Sequence, residues 1–253
     1  MELAGAGGCG TFAFVRPTAG AVGAGAGRAR RTLRPQLKRD SLGNTRDMMN
    51  PIQDQVLERL KGLASSWAAL AAHATRYAQY CSSIATDDTL EIGHMPWIGP
   101  QAYAFRLFPP AKKAWIERFR HRAGRPIPPG YGEFLRTVNG CEAYGLSLYG
   151  LPPSLQREPP LLDRLRPQPL DLGTANQDWA HEYEGSGTGF HFGARSWSHD
   201  ENIGYFWTDE GIRALRPRGE LIAEWRDLTA LLEDELPLAE QMQVEHTPVD
   251  WWH

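Results

Sequence analysis

The chain has 253 residues and a formal net charge of −3, with 42% hydrophobic and 23% charged residues, the composition of an ordinary globular protein. No stretch approaches the roughly 18 consecutive apolar residues of a membrane-spanning helix, so we expect no membrane insertion. The cysteines are Cys9, Cys81 and Cys141. Their odd number and wide spacing argue against a disulfide framework or a Cys-rich zinc site and indicate a reducing compartment, the cytoplasm.

Charge is distributed unevenly along the chain. Residues 1–48 hold eight of the 27 Lys and Arg but three of the 30 Asp and Glu, so they carry +5 and the remainder carries −8. An acidic body disfavours nucleic acid, which is itself a polyanion, and favours a basic partner through charge complementarity.

The first 48 residues are rich in Gly, Ala and Arg and have no apolar periodicity, which predicts a disordered leader. Two origins for this leader remain open. It is Arg-rich and acid-poor, as organellar targeting peptides are. Alternatively, translation starts at Met48 or Met49, and the leader is not part of the protein.

An apolar stripe dominates residues 49–89. Asn50-Pro51 is a typical helix start, and apolar residues then recur at steps of three and four from Ile52 to Ile84. This pattern predicts one long amphipathic helix of about thirty residues. The stripe packs either against its own domain or against a partner helix, so a dimer through residues 52–84 is one alternative.

The central stretch of the chain runs from Ile127 to Gly140. Pro128 and Pro129 restrict the backbone, so the chain enters this stretch extended. A helix over about 130–138 follows, because its apolar residues occur at i, i+3, i+4 and i+7. These residues are Tyr131, Phe134, Leu135 and Val138. Asn139-Gly140 ends the helix, since both residue types tolerate the left-handed conformation.

The remaining elements predict an α+β protein with a small mixed, mainly antiparallel sheet flanked by helices. Strands are predicted at 102–108, 146–149, 190–195 and 203–207, and in the last of these Ile203, Tyr205 and Trp207 share one face. A basic amphipathic helix is predicted at 111–123, with a face that is either solvated or used for partner binding. A final helix is predicted at 221–236.

Several of these pieces together resemble the SUKH superfamily. They are the basic helix followed by "I-P-P-x-Y-x-x-F-L-R-x-x-N-G", then "L-x-L-Y-G" at 146–150, "T-A-N-Q-D-W" at 174–179 and "I-G-Y-F-W-T-D" at 203–209. The superfamily includes fungal cell-wall-assembly regulators and many bacterial immunity proteins. The resemblance implies a SUKH-like domain over 90–240, followed by a tail at 241–253.

What the resemblance implies is a protein-binding module with no enzymatic activity and no cofactor. The motif residues are then expected to be structural. They are Pro128, Tyr131, Phe134, Leu135, Asn139, Gly140 and Asn176.

A search for catalytic or metal-binding patterns gives none that we can support. His191, His199 and Asp200 match no metal-site spacing, and neither a nucleophile elbow nor a phosphate-binding loop occurs. We therefore predict no catalytic residue and no metal ligand.

Tryptophans and carboxylates instead suggest a surface that binds a protein. Trp197, Asp200 and Glu201 join two predicted strands, Asp209 and Glu210 form the next turn, and Asp178 and Trp179 lie in the preceding element. Aromatic anchors with an acidic rim suit protein recognition. The alternative is that Trp179 and Trp197 only pack against the core.

Three functions follow from these observations. The first is an immunity protein that binds and neutralises a cognate polymorphic toxin domain, such as a basic nuclease domain. The second is a regulatory or scaffolding module of the cell-wall-assembly-regulator kind, with the stripe at 52–84 as its interaction element. A hydrolase is a remote third.

Overall fold

The computed structural model describes residues 51–96, 98–123, 125–152, 167–196 and 202–245. The predicted leader, the loop residues Trp197, Asp200 and Glu201, and the end of the tail lie outside the described residues. None of the helices in the described part is long and apolar enough to cross a membrane.

The described residues form six α-helices and nine strands. The helices are α1 (Pro51–Ala64), α2 (Ala68–Tyr77), α3 (Lys113–Ala123), α4 (Pro129–Thr137), α5 (Leu172–Gln177) and α6 (Leu228–Glu245). The first five strands are β1 (Ser83–Ile84), β2 (Leu90–His94), β3 (Tyr103–Leu107), β4 (Cys141–Ala143) and β5 (Leu146–Leu148). The last four are β6 (Phe190–Arg195), β7 (Ile203–Thr208), β8 (Gly211–Leu215) and β9 (Leu221–Trp225).

The strands make one antiparallel sheet in which each strand pairs with its neighbours in the chain, in the order β1 to β9. The predicted α+β class and the mainly antiparallel pairing are confirmed, but the sheet is larger than the small mixed sheet expected, because it is a nine-stranded antiparallel meander. Among the described residues, the parallel pairing is limited to an isolated bridge between Gly150 and Asp171. Short turns join β4 to β5, β7 to β8 and β8 to β9, and such turns favour antiparallel pairing, whereas helices lie between β3 and β4 and between β5 and β6.

The single long N-terminal helix is also wrong. Helix α1 ends at Ala64 and α2 begins at Ala68, and the amides of Ser66 and Trp67 both bond to Leu63 O across the break. Serine side chains compete for backbone groups and weaken a helix, and Ser65 Oγ indeed donates to Gly62 O at 2.9 Å. The break lets both halves of the stripe reach the same core, so the stripe packs against its own domain.

Helix α4 has the predicted face. Pro128 is extended (φ −53°, ψ 137°) and Pro129 begins the helix, while Tyr131, Phe134 and Leu135 are fully buried. The left-handed residue after the helix is Gly140 (φ +87°), where a Cβ would lie 2.8 Å from Leu148 O. This helix packs on one face of the sheet, here called the inner face.

The C-terminal region differs from its prediction. Leu221–Trp225 is strand β9, and the last helix begins at Leu228 rather than Leu221. Asp227 sets this start, because its Oδ1 accepts a hydrogen bond from Ala230 N at 2.9 Å, as an N-cap does. Helix α6 lies on the inner face, where its Glu235 accepts a hydrogen bond from Tyr205 Oη of β7 at 2.6 Å.

Candidate partner-binding surface

The turn between β7 and β8 carries two of the predicted site residues. Asp209 and Glu210 are both exposed in this turn. Gly211 follows with φ +139°, and a Cβ there would lie 2.5 Å from Trp225 O, so only glycine fits. Thr208 Oγ1 donates to Gly211 O at 3.0 Å and accepts from Glu210 N at 3.3 Å. The turn is therefore fixed, and it presents both carboxylates to solvent.

Arg213 connects this turn to strand β9. Its Nη2 lies 2.5 Å from Glu210 Oε2, and its Nε lies 2.8 Å from Glu224 Oε1. Hydrogen bonding to Glu224 and the charge of Glu210 raise the pKa of the Arg213 guanidinium. The three side chains form an ordered acid–base–acid row across the end of the sheet.

A polar cavity of about 350 Å³ lies beside this row. The Trp225 ring borders it and is held in place because its Nε1 donates to Asp234 Oδ2 at 2.9 Å. Four carboxylates and two guanidinium groups belong to this region, which is therefore net negative. We call it the acidic end: Asp209, Glu210, Glu224 and Asp227, with Arg213 and Arg226.

Strands β6 and β7 run from the acidic end to the opposite edge of their ladder. Phe190 pairs with Trp207 near the acidic end, whereas Arg195 pairs with Ile203 at the other end of the same two strands. Arg195 lies about 17 Å from Phe190 at roughly 3.3 Å per residue. The predicted site residues Trp197, Asp200 and Glu201 lie outside the described residues, so their part in a binding surface stays a prediction.

Trp179 lies on the outer face of the sheet, in a short 3-10 helix (Trp179–Glu182). Its ring is half-buried and packs edge-on against Tyr149, with ring centroids 5.5 Å apart. This contact supports the packing alternative for Trp179. Asp178, beside it, is exposed at the end of α5.

His191 lies in the same outer aromatic cluster and is 1% exposed. It stacks on Phe206 at 4.5 Å, and Tyr149 and Tyr183 contact it edge-on. Burial lowers the pKa of His191 to about 4, so the ring is neutral at pH 7. Within the described part of the chain, no group of three His, Cys, Asp or Glu side chains is placed to hold a metal ion.

Two motif residues, Tyr131 and Asn139, bond to backbone groups in the core. The Tyr131 hydroxyl lies between the carbonyl oxygens of Tyr149 and Phe192. Asn139 Nδ2 donates to Leu151 O at 2.7 Å, and Leu151 N donates back to Asn139 Oδ1 at 2.8 Å. The Tyr131 hydroxyl adds a bond to Phe192 O, which also accepts from Tyr149 N at 2.8 Å, and the Asn139 carboxamide pairs with both backbone groups of Leu151.

Sequence reasoning missed one feature, an apolar groove of about 400 Å³ between α1, the end of β3 and the end of α4. Its apolar lining comes from Leu63, Leu90, Leu107, Phe108, Pro109 and Val138. Arg59 and Asp88 form an ion pair of 3.0 Å at its rim. Only Gly62, an unexplained glycine inside a predicted helix, marked this region in the sequence.

Comparisons with protein-family models, with curated proteins and with solved structures give no match to this chain.

Proposed function

We propose that the chain is a non-enzymatic, SUKH-like immunity protein of the cytoplasm that binds a basic toxin domain through its acidic end. The acidic end carries this proposal, because it joins a rigid turn, a net negative charge and a fixed tryptophan in one place. We expect a cationic side chain of the partner to enter the cavity and compete with Arg213 for Glu210 and Glu224. Charge complementarity of this kind raises the association rate and selects the partner.

The motif residues give independent support. The residues on which the resemblance rests include Tyr131, Asn139 and Asn176, and each bonds to backbone groups in the buried part of the protein. Residues that hold a scaffold together are the ones expected to recur in a family whose binding surfaces vary. The proposal therefore assigns the motif to the scaffold and recognition to the acidic end.

The test begins with a pull-down of the tagged full chain from the source cells, with identification of what is retained. Association of that partner is then measured by stopped flow between about 50 and 500 mM salt, where screening changes strongly. For Asp209→Lys/Glu210→Lys we expect association at least tenfold slower at low salt and a flatter salt dependence.

A matched control carries the same change of charge elsewhere. Asp54→Lys/Glu58→Lys alters two exposed carboxylates of α1, far from the acidic end in the chain and in the sheet order. We expect the association rate of this variant, and the salt dependence of that rate, to stay close to those of the unaltered protein. Equal slowing in both variants would mean that only total charge matters, and the acidic end would lose its assignment.

The apolar groove favours a second candidate, the regulatory or scaffolding module. Helix α1, part of the segment proposed as the interaction element, forms one wall of this groove. Removing residues 49–85 would delete core residues such as Val56 and Leu70 and unfold the protein, so a substitution is the better test. Gly62→Leu projects a side chain into the groove, and no heavy atom lies within 4 Å of the position of its Cβ.

If the chain is a regulatory module, we expect Gly62→Leu to abolish partner binding. Gly62→Ala leaves the groove largely open, so this variant should still bind the partner. If the chain is an immunity protein, both variants should bind the toxin like the unaltered chain. Both substitutions are expected to stabilise α1 slightly, because glycine is a poor helix former.

A further inference from the structure

Helix α3 presents a row of cations that the proposed function does not use. Of its eleven residues, only Phe119 is fully buried. The exposed basic residues of this helix and its first flanking position are Lys112, Lys113, Arg118, Arg120, His121 and Arg122. We call the first five of these residues the basic face, because Arg122 pairs with Asp171. The single acidic residue between 112 and 123 is Glu117.

Two other cations nearby already have structural roles. Arg122 Nη2 lies 3.1 Å from Asp171 Oδ2. The Arg125 guanidinium donates to Thr188 O at 2.6 Å and lies 5.2 Å from the centroid of the Phe190 ring. These contacts fasten α3 and the residues after it to the rest of the protein. The basic face is not needed for that attachment.

The basic face itself makes few internal ion pairs. In the described part of the chain, no carboxylate lies within 4.0 Å of the guanidinium of Arg118 or Arg120. Lys113 Nζ lies 3.8 Å from Glu117 Oε1, but the two side chains are 91% and 59% exposed. A pair so exposed contributes little to stability.

Helix stability does not explain the lysines either. Lys112 and Lys113 lie at the start of α3, whose first turn contains no acidic residue. The helix dipole makes this end partially positive, so a lysine there is electrostatically unfavourable. Arg120 and His121, in the last turn, are favoured by the same dipole. The dipole therefore disfavours both lysines, while Lys112 Nζ lies 5.4 Å from the centroid of the Trp115 ring, and together they extend the basic face along the whole length of α3.

We propose that the basic face of α3 docks an acidic segment of a partner protein, separate from the basic partner assigned to the acidic end. The basic face and an acidic segment carry opposite charges, as complementary surfaces do. Helix α3 is about 16 Å long at 1.5 Å per residue, a length that suits a short peptide segment. A nucleic acid fits less well, because the chain from residue 49 carries −8 and Glu117 interrupts the row. Membrane insertion does not fit, because Phe119 faces the protein core.

The probe for this proposal is fluorescein-labelled decaglutamate, titrated with the full chain and followed by fluorescence anisotropy. We expect binding that weakens as salt is raised. In Lys113→Glu/Arg118→Glu/Arg120→Glu the affinity falls at least tenfold. The matched control, Arg136→Glu/Arg216→Glu/Arg218→Glu, changes the net charge equally at three other exposed arginines and retains most of the affinity.

Every other outcome counts against the proposal. Absence of binding by the unaltered chain, or equal loss in both triple variants, overturns it. A duplex DNA probe that binds more tightly than decaglutamate, and that is lost in the α3 variant, assigns the face to nucleic acid instead. If the α3 variant does not fold, the proposal is tested on the unaltered protein by NMR. Decaglutamate must then change the amide chemical shifts of residues 112–122 selectively.

Discussion

Asn176 and His191 exchange two hydrogen bonds, and through these bonds the Asn176 side chain pairs with strand β6 beyond the end of β5. Asn176 Nδ2 donates to His191 O at 2.7 Å, and His191 N donates to Asn176 Oδ1 at 3.0 Å. Strand β5 pairs with β6 only as far as Leu148 opposite Gly193, so β5 does not reach the peptide groups of His191. The carboxamide of Asn176 takes the place of the missing strand.

Replacing this asparagine leaves two polar backbone groups of His191 without partners in a buried place. We expect Asn176→Ala to lower the free energy of unfolding by about 2–4 kcal/mol in urea titrations, because such groups are costly to desolvate. Asn176→Asp keeps the acceptor but places a carboxylate oxygen against the carbonyls of Leu172 and His191, so we expect it to destabilise at least as much as Asn176→Ala. Gln177→Ala, at the exposed neighbouring position, should change stability by less than about 0.5 kcal/mol.

Trp67 and Phe134 join the N-terminal helices to the central motif. Their rings meet edge to face, with centroids 5.2 Å apart and planes at 82°. We expect Phe134→Ala to cost roughly 3–5 kcal/mol, as truncation of a fully buried phenylalanine does. A double-mutant cycle with Trp67→Ala should show a coupling of about 0.5–1.5 kcal/mol. A cost below about 1 kcal/mol for Phe134→Ala would contradict its burial in the core.

The buried imidazole of His191 makes stability depend on pH. Its pKa is lowered by burial to about 4 in the folded protein, below the ordinary value of 6.5, so the unfolded chain binds the proton more tightly. The contribution of His191 is therefore fully present above pH 6.5 and is lost as the pH falls towards 4. It amounts to about 3 kcal/mol.

The measurement for His191 is the free energy of unfolding at pH 7.5, 6, 5 and 4. We expect His191→Phe to flatten the pH dependence between 6.5 and 4 compared with the unaltered protein. The exposed His121 provides the control, because His121→Gln should leave the slope unchanged. Equal slopes in the unaltered protein and in His191→Phe would show that another group causes the dependence.

Cys141 is expected to be an unreactive core residue. It is 1% exposed, and burial raises the pKa of its thiol to about 12, so almost no thiolate forms at neutral pH. In a Cys9→Ser/Cys81→Ser background, a thiol reagent should modify nothing in the folded protein and one thiol after unfolding. Rapid modification of the folded variant would mean that Cys141 is accessible.

Elements whose apolar residues repeat with a clear period were predicted well. The i, i+3, i+4, i+7 spacing located α4 and its buried residues, and alternation placed Tyr205 on the inner face of β7, where its hydroxyl bonds to Glu235. Periodicity did not distinguish a continuous helix from two helices that bury one stripe. It also did not separate β9 from α6, because both segments are apolar and adjacent.

Sequence alone determined the acidic body, the basic α3, the face of α4 and the motif around Asn139, since each depends on residues close together in the chain. Only the tertiary structure decided which carboxylates form one surface. Glu224 joins Glu210 because Arg213 lies between them across two strands. Proximity across strands depends on ladder register, which pairs residues far apart in sequence and leaves no local signal.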